Sequence, residues 1–108
     1  MKKIVIAVKD NGVKVGHFGT SENFIVYDYD ENTGNISYDT LIISPKNRTS
    51  SEEWEKSADA IDMCDIIICE KIGVVPKVQL KERGFEVIED SGLIEEVLDN
   101  FLNSQKIR

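Results

Sequence analysis

The sequence is poor in the features of secreted, membrane-spanning and fibrous proteins. It has two cysteines and two prolines among 108 residues, so neither a disulfide scaffold nor a proline-rich repeat is expected. The longest apolar run, Ile4–Val8, is shorter than the ~7–15 residues of a signal-peptide core and far shorter than a membrane span. We therefore expect a cytoplasmic protein whose thiols stay reduced.

Positive charge is also scarce. Thirteen Lys and Arg residues stand against twenty Asp and Glu residues, which gives a net charge of −7. A surface of this charge repels phosphate backbones and anionic lipid headgroups, so we expect no nucleic-acid partner and no membrane partner. The chain also lacks a P-loop, a G-x-G-x-x-G loop and a Ser-His-Asp pattern, and these absences remove the commonest motifs of several enzyme classes.

What the sequence does contain is an ordered series of strand and helix patterns. Because 108 residues suit one domain, residues 1–108 are predicted to form a single domain. Runs of β-branched and aromatic residues predict strands, and apolar residues at helical spacing predict helices. The predicted strands are 4–8, 24–29, 36–43, 66–69 and 85–88, and the predicted helices begin near Ser50, Pro76 and Leu93.

The order of these elements, β-β-β-α-β-α-β-α, predicts an α/β fold. Helical connections join parallel strands through right-handed crossovers, whereas the turn-rich segment 30–35 predicts a hairpin. Ile4–Val8 and Ile66–Cys69 are apolar throughout, a pattern typical of strands covered on both faces. We expect a mixed five-stranded sheet with these two strands adjacent at its centre and with helices on both faces.

The chain's single histidine lies where this class of fold binds its ligands. Open α/β sheets bind ligands beyond the carboxyl ends of their strands, and Gly16-His17-Phe18-Gly19 follows the first strand. The glycines allow a sharp turn and a close approach of the ligand. One imidazole is too few for a protein-only metal site, but it suffices to anchor a preassembled cluster that carries its other ligands. Alternatively, His17 hydrogen-bonds a neighbouring carbonyl group in a surface loop and Phe18 fills the core.

The two cysteines are predicted to lie at opposite ends of the fourth strand. If that strand is extended, Cys64 and Cys69 are ~16 Å apart, too far to share one ion. Cys64 is expected to be a small core residue, whereas Cys69 either faces a bound cluster or is buried. The cations near the predicted crevice, which either attract an anionic ligand or are simply solvated, are Lys9, Lys14, Lys46, Arg48 and Lys71.

A two-metal nuclease is a further interpretation. Asp10, Asp28 and Asp30 would be its ligands, because Asp10 follows the first strand. However, Asp28 and Asp30 also fit a strand edge and a turn, and the negative net charge disfavours a nucleic-acid substrate. The nuclease is therefore the weakest of the interpretations.

The segment from Val15 to Tyr27, with its His-Phe-Gly triplet followed by a Phe and a Tyr, resembles a known family. It is similar to the dinitrogenase iron–molybdenum cofactor biosynthesis family of NifX-type carriers, the NafY core domain and the NifB tail domain. The second half has the order of NifX-like positions Ile61-x-x-Cys64, Ile72-Gly73, Leu80 and Gly84. The resemblance implies an RNase-H-like three-layer fold. It also implies a carrier rather than an enzyme, which binds iron–molybdenum cofactor or an iron–sulfur-type precursor.

The resemblance also implies partners, and it implies that the histidine of the triplet, His17, binds the cofactor. The predicted cofactor-binding residues, with His17 as the metal ligand, are Gly16, His17, Phe18, Gly19, Cys69 and Lys71. The implied partners are proteins that donate or accept the metallocluster, and the implied context is nitrogen fixation. The sequence departs from many family members at Glu70 and Lys71, where those members have two glycines, and in loop 44–51, which has neither Gly nor His. The alternative is a regulatory or protein-interaction module of the same fold that binds no cluster.

Overall fold

The computed structural model describes residues 2–9, 13–18, 23–43 and 64–106. In this part of the chain the strands are β1 (Lys2–Lys9), β2 (Lys14–Val15), β3 (Asn23–Asp30), β4 (Asn35–Ile43), β5 (Ile66–Cys69) and β6 (Glu86–Glu89). The helices are α1 (Val74–Glu82) and α2 (Ile94–Lys106). The helix predicted from Ser50, and the residues Asp10, Gly19, Lys46 and Arg48, lie outside the described residues.

The strands form one mixed sheet in the order β4-β3-β1-β5-β6. The two apolar strands are adjacent and parallel at the centre, with Val5 opposite Ile67, as predicted. The antiparallel β3–β4 hairpin extends one edge, and β6 lies parallel to β5 on the other side.

The predicted number of five strands is wrong, because the described residues form six. The additional strand is β2, which pairs antiparallel with the end of β1 through Val8 and Val15. Two residues are too few to show the alternating pattern by which a strand is recognised. The pairing brings Lys14 and Val15 back alongside the end of β1.

The sheet separates two hydrophobic cores, one on each face. Successive side chains of a strand point to opposite faces, so Val5 and Ala7 of β1 pack with Leu80 of α1. Ile4 and Ile6 pack on the other face with Phe101 of α2. The prediction of helices on both faces is confirmed. No helix in the described ranges has the length and apolar character needed to cross a membrane.

Local sequence accounts for both ends of α1 and for the start of α2. Pro76 lies in the first turn of α1, where its missing N–H is not needed, and Gly84 follows the helix with a φ of 99° that glycine adopts without strain. At the start of α2, the carboxylate of Glu96 accepts a hydrogen bond from the Leu93 N–H at 3.2 Å, which satisfies one of the unpaired donors of the first turn.

Ion pairs hold the amino end of the central strands. Lys3 Nζ lies 2.6 Å from Asp28 Oδ1 and 2.7 Å from Asp39 Oδ2, so it links β1 to both strands of the hairpin. Asp30 accepts a hydrogen bond from the Asn32 N–H in the hairpin turn. Asp28 and Asp30, two of the three aspartates of the nuclease interpretation, therefore have structural partners.

Candidate functional site

Three backbone hydrogen bonds fasten the histidine loop between the ends of β1 and β5. Gly16 N–H donates to Ala7 C=O at 2.8 Å, and Glu70 N–H donates to Gly16 C=O at 2.8 Å. Phe18 N–H donates to Lys71 C=O at 2.9 Å. Because these bonds join the loop to Ala7 near the end of β1 and to the two residues that follow β5, His17 is held at the carboxyl end of the central strands, where ligands of open α/β sheets bind.

A cleft of about 590 Å³ opens at this end of the sheet. Its volume falls within the ~300–1,000 Å³ of typical ligand sites. The described residues that line it come from the histidine loop and from the segments after β5 and β6: His17, Glu70, Lys71, Glu89, Asp90 and Ser91. Of the residues predicted to bind a cofactor, the structure therefore places His17 and Lys71 on the cleft.

The imidazole of His17 is half-exposed and contacts a carboxylate. Its Nε2 atom lies 2.9 Å from Glu70 Oε1, and Lys9 Nζ lies 3.0 Å from the same oxygen. The hydrogen bond from Lys9, followed by the nearby positive charges, lowers the pKa of Glu70 below its usual value. Glu70 is therefore an anion at neutral pH that accepts hydrogen bonds from both neighbours.

The other acidic groups of the cleft also have partners that offset their charge. Lys77 of α1 forms an ion pair with Glu89 at 3.0 Å. The two carboxylate oxygens of Asp90 accept hydrogen bonds from the Ser91 N–H and the Asn100 side chain. Because each carboxylate is neutralised or hydrogen-bonded by the protein, the lining is less repulsive to an anionic ligand than its three acids suggest.

Phe18 and Gly16 support the loop from inside. Phe18 is completely buried on the α1 face of the sheet, and its ring centroid lies 5.9 Å from that of Phe24. Gly16 is buried as well. The structure thus combines the two interpretations of the loop, since Phe18 fills the core while His17 reaches the cleft. Gly19 lies outside the described residues.

Cys69 is turned away from the cleft. Its side chain is completely buried in the core on the α1 face, and burial raises the pKa of its thiol to about 12. Cys64 is buried at the opposite end of β5, with a thiol pKa raised to about 11, chiefly by burial. A thiol that holds its proton this firmly is a poor metal ligand at neutral pH. In this structure Cys69 is a core residue.

No cluster of three or more His, Cys, Asp or Glu side chains suited to a metal ion occurs among the residues that the structure describes. Sequence reasoning missed Glu70 as the partner of His17, and it missed the wall formed by Glu89 and Asp90. The strand-end rule could have found that wall, because both residues follow the carboxyl end of β6, which is parallel to β5.

Comparison with known proteins identifies the family. The sequence profile of the family described as dinitrogenase iron–molybdenum cofactor matches residues 1–104. The chain belongs to this family. The resemblance inferred from the His-Phe-Gly triplet is thereby confirmed.

The sequence identity to an individual curated relative is low. The FeMo cofactor biosynthesis protein NifB of Frankia alni is 24% identical over 100 residues, which cover 88% of this chain and 20% of that protein. The chain thus spans about a fifth of the length of this curated relative.

Two solved structures share the fold. The apo form of the orange protein from Desulfovibrio gigas has a TM-score of 0.73 and 20% identity, covering 97% of this chain and 90% of its own. A protein from Methanocaldococcus jannaschii, named as a candidate dinitrogenase, has a TM-score of 0.66 and 15% identity, covering 96% and 90%. At these identities the likeness establishes the fold alone.

Proposed function

We propose that the chain is a non-catalytic carrier that binds an iron–sulfur-type metallocluster, such as a precursor of nitrogenase cofactor, at the cleft beside His17. The observation that carries the proposal is the position of His17. Its side chain is 46% exposed, and it borders a cleft of ligand size. It also lies within the residues that match a family described by iron–molybdenum cofactor.

The chemistry of the cleft suits cargo that brings most of its own ligands. A single imidazole supplies one coordinating nitrogen, whereas a protein-only site for a borderline metal takes about three or four donors. A preassembled cluster has its irons already bridged by sulfide and needs only an anchor. Lys71 also lines the cleft, and its ammonium group would offset part of the negative charge of such a cluster.

The carrier role also defines the partners. Proteins that assemble the cluster would load the chain, and proteins that use it would unload it. One exposed ligand favours such transfer, because an incoming donor group has to replace a single bond. The name of the Frankia relative, a FeMo cofactor biosynthesis protein, supports nitrogenase assembly as the context.

Anaerobic reconstitution tests the proposal. The probe is an iron–sulfur cluster assembled from ferrous iron, sulfide and a small thiol, and the readouts are the visible absorption spectrum and the iron retained per chain after desalting. The wild-type protein is expected to retain iron. His17→Ala is expected to retain at least ~10-fold less iron per chain. Gln79→Ala, an exposed position on α1, serves as the matched control.

Two results would reject the proposal, the first for the anchor and the second for the carrier role. If His17→Ala retains as much iron as the wild type, His17 is not the anchor. If the wild type takes up no iron under these conditions, the protein-interaction module without a cluster becomes the better interpretation of the same fold.

A further inference from the structure

The backbone and the side chain of Glu70 are both restrained by neighbouring groups, which is uncommon for a carboxylate at the surface. Two backbone hydrogen bonds, from Glu70 N–H to Gly16 C=O and from Phe18 N–H to Lys71 C=O, flank the Glu70–His17 contact on both segments. The two side chains therefore leave backbones that are locked to each other. The carboxylate is 24% exposed and is also held by Lys9. Because of these restraints, the local fold itself fixes the 2.9 Å contact between Glu70 and His17 Nε2.

The contact determines where the imidazole proton lies. An ionised carboxylate has only acceptors, so the nitrogen that faces it has to carry the hydrogen. A neutral imidazole has one N–H, and in this arrangement it belongs to Nε2. The second nitrogen, Nδ1, then carries the lone pair that a metal needs. Metal-binding histidines commonly donate their other N–H to a carboxylate in the same way, which orients the ring and increases its basicity.

We propose that Glu70 is a positioning residue, which holds His17 in the Nε2–H form and thereby makes Nδ1 the nitrogen that coordinates the cluster. This inference rests on the proposed carrier function. Lys9 completes the arrangement, because its ammonium group holds Glu70 from the other side and keeps the carboxylate in place. Glu70 and Lys9 touch no cargo themselves, and they act through the orientation of His17.

Nuclear magnetic resonance of the apo protein tests the first half of the proposal without any cluster. Because the chain has one histidine, a single pair of imidazole ¹⁵N signals reports on it. At pH 8 the wild type is expected to show a protonated Nε2 and an unprotonated Nδ1, because Nε2 faces the Glu70 carboxylate. In Glu70→Ala both signals are expected to move toward the values of free imidazole, in which two tautomers exchange. Glu86→Ala, which removes the same charge from an exposed position on β6, is expected to match the wild type.

Cluster retention tests the second half. In the reconstitution described above, Glu70→Ala is expected to retain ~10- to 100-fold less cluster than the wild type at limiting iron, and Glu86→Ala is expected to retain the wild-type amount. If Nε2 were the coordinating atom, Glu70 would compete with the cluster, and Glu70→Ala would retain more. Equal or greater retention in Glu70→Ala therefore overturns the proposal, as does a wild-type spectrum with the proton on Nδ1.

Failure of the carrier function gives a different result. If no variant and no wild-type sample takes up iron, coordination by Nδ1 falls together with the carrier role. The apo spectra still decide whether Glu70 orients the ring.

Discussion

The two ends of the central strand β1 are built from similar charged groups and yet differ in what they expose. At the amino end, the ammonium group of Lys3 lies between Asp28 and Asp39. At the carboxyl end, Lys9 and His17 meet on one oxygen of Glu70. The first cluster ties three strands together, whereas the second presents a half-exposed imidazole at a cleft. Paired charges alone therefore do not identify a site in this protein. The informative combination is a potential metal ligand beside an open volume.

The anchors of the two ends also differ in kind. The carboxyl end depends on a buried aromatic ring, Phe18, directly beside the exposed His17. The amino end depends on ion pairs whose side chains are about one-third exposed, and exposed ion pairs contribute little because water screens them. Substitutions at the two ends should therefore have very different effects on stability.

The largest expected effect is that of Phe18→Ala. The ring is completely buried against Phe24, and its removal should lower the free energy of unfolding by ~3–5 kcal/mol. Urea denaturation followed by circular dichroism measures the change. Tyr38→Ala removes an exposed aromatic ring that contacts Tyr27 on the hairpin, and it should cost only ~1 kcal/mol. Equal losses in the two variants would contradict the proposed anchoring of the histidine loop.

The reactivity of the two cysteine thiols allows the two ends of β5 to be compared. Because burial raises the thiol pKa to about 12 for Cys69 and to about 11 for Cys64, both thiolate fractions at pH 8 lie far below that of an ordinary cysteine, and that of Cys69 is the lower. Iodoacetamide labelling of the native protein, resolved by peptide mass spectrometry, should modify Cys64 slowly and Cys69 more slowly still. Both should react rapidly in urea. Preferential labelling of Cys69 in the native state would show that its thiol faces the cleft after all.

Substitution of two glycines with positive φ is expected to have a smaller effect on stability. Gly92 accepts the Val15 N–H that holds β2 and has a φ of 121°, whereas Gly34 lies in the hairpin turn with a φ of 78°. Gly92→Ala should lower the free energy of unfolding by ~1–3 kcal/mol, because few residues other than glycine adopt its conformation. Gly34→Ala should cost ~1 kcal/mol, because its backbone is close to the ordinary left-handed region. A greater loss for Gly34→Ala, measured by urea denaturation, would show that the hairpin turn is the more restrained of the two.

The smallest expected effect is that of Lys3→Met, which should lower the urea midpoint slightly at pH 7. The hydrogen bonds that Lys3 donates to Asp28 and Asp39 raise its pKa above the usual 10.5. A raised pKa in the folded state means that the contribution is complete below pH ~10.5 and is lost as the pH rises through the folded value. The difference in midpoint between wild type and Lys3→Met should therefore be constant from pH 7 to ~10 and decrease at higher pH. A difference that grows above pH ~10.5 would contradict the assigned cause of the pKa shift.

Most of the sheet was predictable because its signals are local. The apolar runs Ile4–Val8 and Ile66–Cys69 indicated central strands, and they are neighbours in the structure. The turn-rich segment after Asp30 indicated the hairpin, which the structure contains. By contrast, Lys14–Val15 has no pattern of its own and becomes a strand only by pairing with β1. The RNase-H-like order of elements stays a prediction, since the helix expected from Ser50 lies outside the described residues.

The position of the histidine was predictable, but its contacts were not. His17 was expected beyond the carboxyl end of the first strand, and the structure places it there, beside a cleft. The direction of Cys69 was not predictable, because alternation along a strand shows which residues share a face but not which element covers that face. Cys69 shares its face with Ile67 and Leu80 of the α1 core.

The amino-acid sequence by itself determined most of the described strands, both described helices, the two central strands and the presence of one imidazole beyond them. These properties follow from residue type and from periods of two and 3.6 residues, which neighbouring positions encode. Only the tertiary structure decided that Glu70 meets His17, that Phe18 and Cys69 are buried, and that the loop after β6 completes the cleft. Such contacts depend on the relative register of β1, β2 and β5, and that register is set by packing between segments that are distant in the chain.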